Sequence, residues 1–373
     1  MSITINKDRL IKGFTELVSI DSESFSEREM ADKLISELRE IGFEVCEDDA
    51  GSRCGGNAGN IYGFLKGNLP GEPILLSAHM DTVSPGKGKK AVIHDDGIIT
   101  SDGTTVLGAD DAAGLAEILE GIRSVKEAGI PHRDTEILFP IAEEPYIKGT
   151  SAFDFSRIRS KEAYTFDISG EVGSAAVKAP TLISFRITVG GKAAHAGFAP
   201  EKGINAVETA CKAISRIAQG RIDEDTSLNI GTISGGEKTN IVSDKCICSG
   251  EVRSFDHNKA LGQLRILENA FSAAASETGA SFTVVSSVDL TAYEIYRDEP
   301  VVSRFLGACS KIGTDGKLTS TFGGSDNHNF VLHGIKGIVL SCGMNNVHST
   351  DEYISTADLV KGAALVSVLI TLP

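Results

Sequence analysis

The stretch that decides the fold is Pro73-Ile-Leu-Leu-Ser-Ala-His-Met-Asp81, in which an apolar run leads into a His-x-Asp motif. A second apolar run, Ile137-Leu-Phe139, leads in the same way to the acidic pair Glu143-Glu144. Runs that are apolar at nearly every position are typical of strands buried on both faces of a sheet. Both runs are therefore predicted to be inner strands that end on polar side chains.

Helices are predicted around these strands. Ser26-Glu-Arg-Glu29 fits a capping box that opens a helix, and Gly42 is placed to end that helix. Between the two runs lies a segment whose apolar residues are spaced as on one helical face: Leu115, Ile118, Leu119 and Ile122. Alternating strands and helices predict an α/β fold with a mostly parallel sheet covered by helices on both faces.

A different pattern begins near Thr181. Its predicted elements are a strand at 182–189, a helix at 206–217, strands at 228–233 and 241–252, a helix at 256–277 and a strand at 282–288. The order β-α-β-β-α-β is ferredoxin-like. We therefore expect residues 179–291 to form a domain inserted into a first domain that comprises residues 1–178 and 292–373.

The composition argues against several classes of function. The formal net charge of -15 disfavours nucleic acid or an anionic membrane as a partner. The phosphate-binding patterns G-x-G-x-x-G and G-x-x-x-x-G-K-[ST] do not occur, which disfavours a nucleotide enzyme. The pattern G-x-S-x-G is also absent, which disfavours a serine hydrolase.

The cysteines and the chain ends indicate a compartment. Seven cysteines cannot all pair internally, and we predict that they are reduced packing residues. The N-terminal residues lack a secretory apolar segment. The apolar stretch 359–372 is short for a membrane span and contains Lys361, so a buried helix is predicted there. We therefore expect a cytoplasmic protein.

Acids and histidines follow the ends of the predicted strands. These residues are His79, Asp81, Glu143, Glu144, Asp167 and His348, and the pair Asp110-Asp111 lies at the entrance of a predicted helix. Each alone has an ordinary explanation, such as a helix cap, a solvated strand end, a turn or a core histidine. The carboxyl ends of parallel strands meet at one edge of a sheet, where adjacent carboxylates would repel one another unless cations neutralised them. The pattern therefore predicts a divalent metal site.

These motifs resemble the metal site of the M20 metallopeptidase family. The matching segments are His79-Met-Asp-Thr82, Gly108-Ala-Asp-Asp111, Glu143-Glu144, Asp167 and His348-Ser-Thr-Asp-Glu352. Three further segments resemble its peptidase T-like (tripeptidase) branch in particular: Gly103-Thr-Thr-Val-Leu107, Ala163-Tyr-Thr-Phe-Asp167 and Gly191-Lys-Ala-Ala-His-Ala-Gly197. The resemblance covers nearly the whole chain, including the inserted domain.

The resemblance implies two divalent metal ions, zinc foremost, with cobalt or manganese as alternatives. It implies five ligands: Asp110 bridging both ions, His79 and Asp167 on one ion, and Glu144 and His348 on the other. Asp81 would accept the other ring N–H of His79 and orient its imidazole. Glu143 would be the general base, and the peptide bond between Asp110 and Asp111 would be cis.

The resemblance also assigns roles to residues of the inserted domain. His195 would stabilise the oxyanion, and in dimeric relatives this histidine reaches across from the other subunit. Arg253 would bind the terminal carboxylate of the substrate. Asn240, Gly324 and Ser325 would contact the substrate. Taken alone, His195 could be a surface histidine and Arg253 a salt-bridged strand arginine. A homodimer formed through the inserted domain is expected.

The expected function is a dizinc exopeptidase that hydrolyses the N-terminal peptide bond of short peptides. Metal-activated water would attack the carbonyl, while Glu143 takes its proton and passes it to the leaving amine. The same chemistry would suit an N-acyl amino-acid deacylase, whereas a non-catalytic binding protein would not need Glu143. One segment departs from the family: Pro145-Tyr-Ile-Lys148 stands where relatives usually carry small residues and a glycine, which leaves the choice of substrate open.

Overall fold

The computed structural model describes residues 3–372. Its helices are α1 (Lys7–Val18), α2 (Arg28–Ile41), α3 (Ala50–Cys54), α4 (Ala109–Glu127), α5 (Lys148–Ser151), α6 (Ala206–Ile214), α7 (His257–Thr278), α8 (Pro300–Lys311), α9 (Asn327–Leu332) and α10 (Thr356–Thr371). Its strands are β1 (Glu44–Glu47), β2 (Ile61–Leu65), β3 (Ile74–Ser77), β4 (Val92–Ile93), β5 (Ile98–Thr100), β6 (Thr135–Phe139), β7 (Glu162–Ile168), β8 (Ser174–Ala179), β9 (Thr181–Gly190), β10 (Gly220–Arg221), β11 (Thr226–Gly235), β12 (Lys245–Ser254), β13 (Ser281–Leu290), β14 (Tyr293–Glu294), β15 (Lys317–Ser320), β16 (Lys336–Ser341) and β17 (Tyr353–Ser355).

The chain folds into two compact units. The first comprises residues up to 177, 294–320 and from 325 onward, and the second comprises residues 178–293 together with 321–324. The short segment 321–324 thus belongs to the second unit, although the chain around it belongs to the first.

The main sheet of the first unit has nine strands in the order β1-β2-β6-β3-β7-β16-β8-β14, with β15 beside β8. Its central strands β6, β3, β7 and β16 run parallel. Strands β1 and β2 on one side and β8 on the other pair antiparallel to their neighbours. The α/β prediction with a mostly parallel inner sheet is confirmed.

Burial explains why these segments are strands. Every residue of β3 and β6 is buried, as their nearly continuous apolar sequences predict.

Helix α10, which forms the predicted terminal helix, is largely buried and packs against α4. Within residues 3–372, none of the helices has the length and apolarity that crossing a membrane requires.

Helix α2 begins differently from its predicted capping box. Glu27 occupies the N-cap, but no side-chain hydrogen bond caps the helix there. The Glu27 carboxylate instead accepts hydrogen bonds from the backbone N–H groups of Phe25 and Ala142, and the residue is fully buried. Gly42 ends the helix as predicted, with φ of +105°.

The second unit is built on a five-stranded sheet in the order β10-β11-β12-β9-β13, in which the pairs are antiparallel. The four long strands follow the ferredoxin-like order that the sequence predicts. Helices α6 and α7 pack on this sheet around a buried apolar cluster that includes Ile187, Phe271 and Val252. Asp256 caps α7 by accepting from the N–H groups of Asn258 and Lys259. Strand β12 begins later than predicted, at Lys245.

Candidate active site

The candidate ligands converge at one edge of the main sheet. His79 and Asp81 follow β3, the pair Glu143-Glu144 follows β6, and Asp167 lies near the end of β7. His348 comes from the loop after β16, and Asp110 lies in the first turn of α4. Parallel β3, β6, β7 and β16 all present their carboxyl ends to this edge, which is why residues so far apart in sequence meet.

Asp110 lies between two imidazoles. Its Oδ1 is 3.1 Å from Nε2 of His79, and its Oδ2 is 3.1 Å from Nε2 of His348. Nε2 of His348 is also 3.1 Å from Oε2 of Glu144, and Nε2 of His79 is 3.8 Å from Oδ1 of Asp167. A carboxylate whose two oxygens face two separate ligand sets has the arrangement of a bridging ligand.

The donor atoms of this cluster fit divalent metal. Two groups of three ligand atoms are each gathered within 4.8 Å. One group takes an atom each from His79, Asp110 and Glu144, and the other takes an atom each from His79, Asp111 and Asp167. Oε1 of Glu144 is buried, and no described residue donates a hydrogen bond to it. Nitrogen and carboxylate oxygen are the ligands of zinc and related ions. The cluster therefore satisfies the chemistry of a metal site.

The electrostatics also favour a cation. Burial raises the pKa of the Glu143 carboxyl well above its ordinary value, and the nearby Asp167 raises it further. Burial likewise raises the pKa of Asp167 well above its usual range. Burial would lower the pKa of His79, but its hydrogen bonds to Asp110 and Asp81 raise it well above 6.5. Without a cation the buried carboxyls of Glu143 and Asp167 would therefore favour their protonated forms, and a bound cation would stabilise the charged forms.

Asp81 differs from its predicted role in one contact. Nδ1 of His79 lies 2.9 Å from the backbone carbonyl oxygen of Asp81 and 3.4 Å from the carboxylate Oδ1, so the carbonyl is the closer partner. The Asp81 carboxylate accepts the N–H of Glu143 at 2.9 Å and the N–H of Glu144 at 3.2 Å. Ser24 also donates to it at 2.7 Å. Asp81 therefore orients the histidine through its backbone and holds the acidic pair through its side chain.

The unusual segment after the acidic pair forms a tight turn. Ile147 N–H donates to the carbonyl of Glu143 at 2.6 Å, and Lys148 N–H donates to that of Ala142 at 2.8 Å. Ala142, Tyr146 and Ile147 all have positive φ, which is uncommon for residues with a Cβ atom and most unusual for a β-branched isoleucine. Ile147 is buried, whereas Tyr146 is 43% exposed. The turn thus fixes the backbone of Glu143 and presents an aromatic ring at its tip.

The entrance of α4 has the backbone that the resemblance implied. The peptide bond between Asp110 and Asp111 is cis. The Asp111 carboxylate accepts the N–H of His79 at 3.1 Å and the N–H of Gly114 at 3.2 Å. Asp111 therefore links β3 to α4 through backbone contacts, while Asp110 faces the histidines.

Two carboxylates near the site had no predicted role. Glu352 is buried and accepts the N–H of Gly108 at 2.7 Å and the N–H of Asp110 at 3.0 Å. Glu27 accepts the N–H of Ala142, directly before the acidic pair. Glu352 ends the segment His348-Ser-Thr-Asp-Glu352, and the resemblance of that segment to a metal-site motif is a sequence signal for it. No sequence signal distinguished Glu27 from a helix-capping residue.

His195 lies in the second unit and is exposed. Its Nδ1 accepts hydrogen bonds from the N–H groups of Gly197 at 3.1 Å and Phe198 at 3.2 Å. In the neutral imidazole the proton is therefore on Nε2, which is left as a donor. The ring of Phe198, which is 87% exposed, lies 4.3 Å from the imidazole between centroids.

Arg253 is already paired within the second unit. Its Nε and Nη2 donate to the carboxylate of Glu251, and its Nη1 donates to the carbonyl of Phe322 at 2.6 Å. These bonds use three of the five N–H donors of a guanidinium. Of the other predicted contacts, Asn240 and Gly324 are exposed in the second unit, whereas Ser325 is buried in the first.

Comparisons with known proteins identify the family. The chain matches the peptidase dimerisation domain of family M20 over residues 178–279 and peptidase family M28 over residues 60–190. Aminopeptidase PepT from Bacillus cereus is 40% identical in sequence, and its solved structure matches with a TM-score of 0.92 over 98% of each chain. A tripeptidase from Staphylococcus aureus is 34% identical in sequence, and its solved structure matches with a TM-score of 0.95 over 98% of each chain. The uncharacterised protein YqjE of Bacillus subtilis is 39% identical over 366 residues, which cover 98% of both chains. The chain is a metallopeptidase and belongs to the peptidase T-like branch of the M20 family.

Proposed function

We propose that this metallopeptidase is a dizinc exopeptidase that removes the N-terminal residue from short peptides, tripeptides foremost. The observation that carries the proposal is the position of Asp110, whose two carboxylate oxygens each lie 3.1 Å from a different histidine, beside the acidic pair. The similar proteins described as an aminopeptidase and a tripeptidase support the substrate class.

Five side chains would hold the ions. His79 and Asp167 would bind one ion and Glu144 and His348 the other, with Asp110 shared between them. Divalent ions bound there would supply positive charge that acidifies water and polarises the scissile carbonyl. Zinc suits this nitrogen and oxygen donor set, and cobalt and manganese are the alternatives.

Glu143 would move the proton. Its carboxylate would take a proton from the attacking water and deliver it to the leaving amine. Its backbone is fixed on both sides, by the Asp81 carboxylate on its N–H and by Ile147 on its carbonyl. A fixed backbone limits the positions that the carboxylate can reach, and general-base catalysis depends on that placement. Asp81 would therefore serve catalysis by positioning both His79 and Glu143.

The second unit would supply substrate contacts. Nε2–H of His195 is the donor that an oxyanion needs, because Nδ1 is already occupied by two backbone N–H groups. Arg253 has two further N–H donors that could bind a substrate carboxylate while Glu251 keeps its own pair. Asn240, Gly324 and Ser325 would complete the contacts. We further propose a homodimer formed through the second unit, and the match of this unit to a peptidase dimerisation domain supports it. We also propose a cytoplasmic location.

The proposal is tested by a hydrolysis screen in the presence of zinc, cobalt or manganese. The substrates are di-, tri- and tetrapeptides beside N-acetylated forms of the same sequences. We expect cleavage of free tripeptides and release of their N-terminal residue. Cleavage of the blocked forms alone would refute the aminopeptidase and identify a deacylase.

The role of Glu143 is tested by Glu143→Gln in the same screen. This variant should bind metal as the unchanged protein does and lose at least ~100-fold in kcat, the usual contribution of general acid–base catalysis. Glu40→Gln, which neutralises an exposed glutamate of α2, is the matched control and should hydrolyse at the normal rate. Normal turnover by Glu143→Gln would contradict the assigned role.

A further inference from the structure

Glu352 connects two parts of the active site that are far apart in sequence. It lies four residues after His348, directly before β17, and is 1% exposed. Its Oε2 accepts the N–H of Gly108 and its Oε1 accepts the N–H of Asp110. Both oxygens are therefore used on the entrance of α4, and hydrogen bonds to a carboxylate are stronger than those between neutral groups.

The backbone that Glu352 holds is the backbone that places Asp110. Gly108 is the N-cap of α4, with φ of +76°, and the N–H of an N-cap residue has no acceptor within the helix. The N–H of Asp110 belongs to the residue whose carboxylate lies between the two imidazoles. One carboxylate thus fixes the chain on both sides of Ala109.

The loop that carries His348 needs an external contact. His348 has φ of +61°, and its side chain is half exposed. The loop is closed at its base by hydrogen bonds between Asn345 and Tyr353, at 2.9 and 3.1 Å, and is shaped internally by Ser349. Those bonds set the shape of the loop but not its distance from α4. The base of the loop is tied to β5 by the antiparallel pairing of β17, and a bond from Ser101 to the carbonyl of Thr350 ties the loop to the chain after β5. The two bonds from Glu352 tie the loop directly to the start of α4.

We infer that Glu352 is a positioning residue that sets the distance between His348 and Asp110, and so allows both side chains to hold one metal ion. This inference rests on the proposed metal site. Glu352 itself would not be a ligand, because both of its oxygens accept backbone N–H groups. Without the carboxylate, the loop and the start of α4 would each keep their fold, but His348 would no longer be held at a fixed distance from Asp110.

The test is a titration of the metal-stripped full chain with zinc alone, in which calorimetry measures the binding. The concentration of binding sites is corrected for the folded fraction, which circular dichroism measures. Glu352→Gln should weaken zinc binding at one of two positions by roughly 10–100-fold, the usual effect of losing a partner that orients ligands. Asp351→Asn is the matched control, since it removes an exposed carboxylate next to Glu352, and it should bind as the unchanged protein does. Cobalt should show an altered visible spectrum in Glu352→Gln, which a loss of stability alone would not produce.

A second pair of variants separates positioning from a general structural effect. If Glu352 acts through His348, then Glu352→Gln should cause little further loss in a His348→Ala background. Glu352→Asp, one methylene shorter, replaces the glutamine variant if the latter does not fold, and should also bind zinc more weakly than Asp351→Asn. Wild-type zinc affinity and cobalt spectrum in the folded Glu352 variant, or a loss that adds in full to that of His348→Ala, would overturn the inference. If the unchanged protein binds no zinc, the proposed metal site fails and the inference with it.

Discussion

Glu117 allows a sharp prediction about stability, because it is a fully buried carboxyl that no described residue pairs. It lies on α4 with 0% exposure, and neither carboxylate oxygen has a hydrogen-bond partner within residues 3–372. Its carboxyl packs against Gly362 of α10, where an added Cβ would lie 2.0 Å from the Glu117 carboxyl carbon. The perturbation is Glu117→Gln, which keeps the shape and removes the ionisable group.

The magnitude follows from proton linkage. Burial raises the pKa of Glu117 well above its ordinary value of 4.5, and the nearby carboxylates of Asp111 and Asp358 raise it further. Above pH 4.5 the unfolded chain releases a proton that the folded chain keeps. The free energy of unfolding therefore falls as pH rises, by ~1.4 kcal/mol per pH unit, until the pH reaches the folded pKa. Glutamine has no such dependence.

The assay is urea denaturation of both proteins, with chelator present, at half-unit steps from pH 4.5 to 8. The free energy of unfolding of Glu117→Gln minus that of the unchanged protein should rise by ~1.4 kcal/mol per pH unit and then level off. Glu127→Gln, on the same helix, is the control and should show no rise above pH 4.5, because the hydrogen bond from Arg9 lowers the pKa of Glu127. Parallel curves for Glu117→Gln and the unchanged protein across the whole range would refute the reasoning.

Three further predictions concern packing, the second unit and the metal. Gly362→Ala should destabilise the fold by about 1–3 kcal/mol in urea denaturation, because its Cβ would overlap the Glu117 carboxyl, whereas Gly262→Ala on α7, with open space around its Cβ, should be neutral or stabilising. His195→Gln should lower kcat by about 100-fold or more with little change in bound metal, because an oxyanion donor is lost; a change confined to KM would contradict that role. Removing metal with chelator should abolish hydrolysis. It should also lower the free energy of unfolding by about 4 kcal/mol per site, compared with protein at a free metal concentration a thousand times the dissociation constant. Equal stability with and without metal would argue against a metal site.

Much of the site could be predicted because its residues follow strands with strong sequence signals. The apolar run of β3 ends directly before His79, and the run of β6 ends shortly before Glu143. A parallel sheet then brings such ends together regardless of their separation in sequence. The cis peptide at Asp110-Asp111 came from family resemblance alone, since no local pattern predicts it.

The residues that sequence reasoning missed act through backbone groups of distant segments. Glu352 binds N–H groups 242 and 244 positions away, and Glu27 binds one that is 115 positions away. A carboxylate in either position looks like an ordinary cap or loop residue until the tertiary structure is known. Arg253 is a different case, because Glu251 stands two positions earlier on β12, on the same face of the strand, so the sequence did contain that pairing.

The central claim is a two-metal centre that shares Asp110, and anomalous diffraction from crystals grown with zinc tests it most directly. Data collected on both sides of the zinc absorption edge should show two peaks, one beside His79 and Asp167 and the other beside Glu144 and His348, with an Asp110 oxygen next to each. A single peak, or two peaks that do not both contact Asp110, would contradict the account.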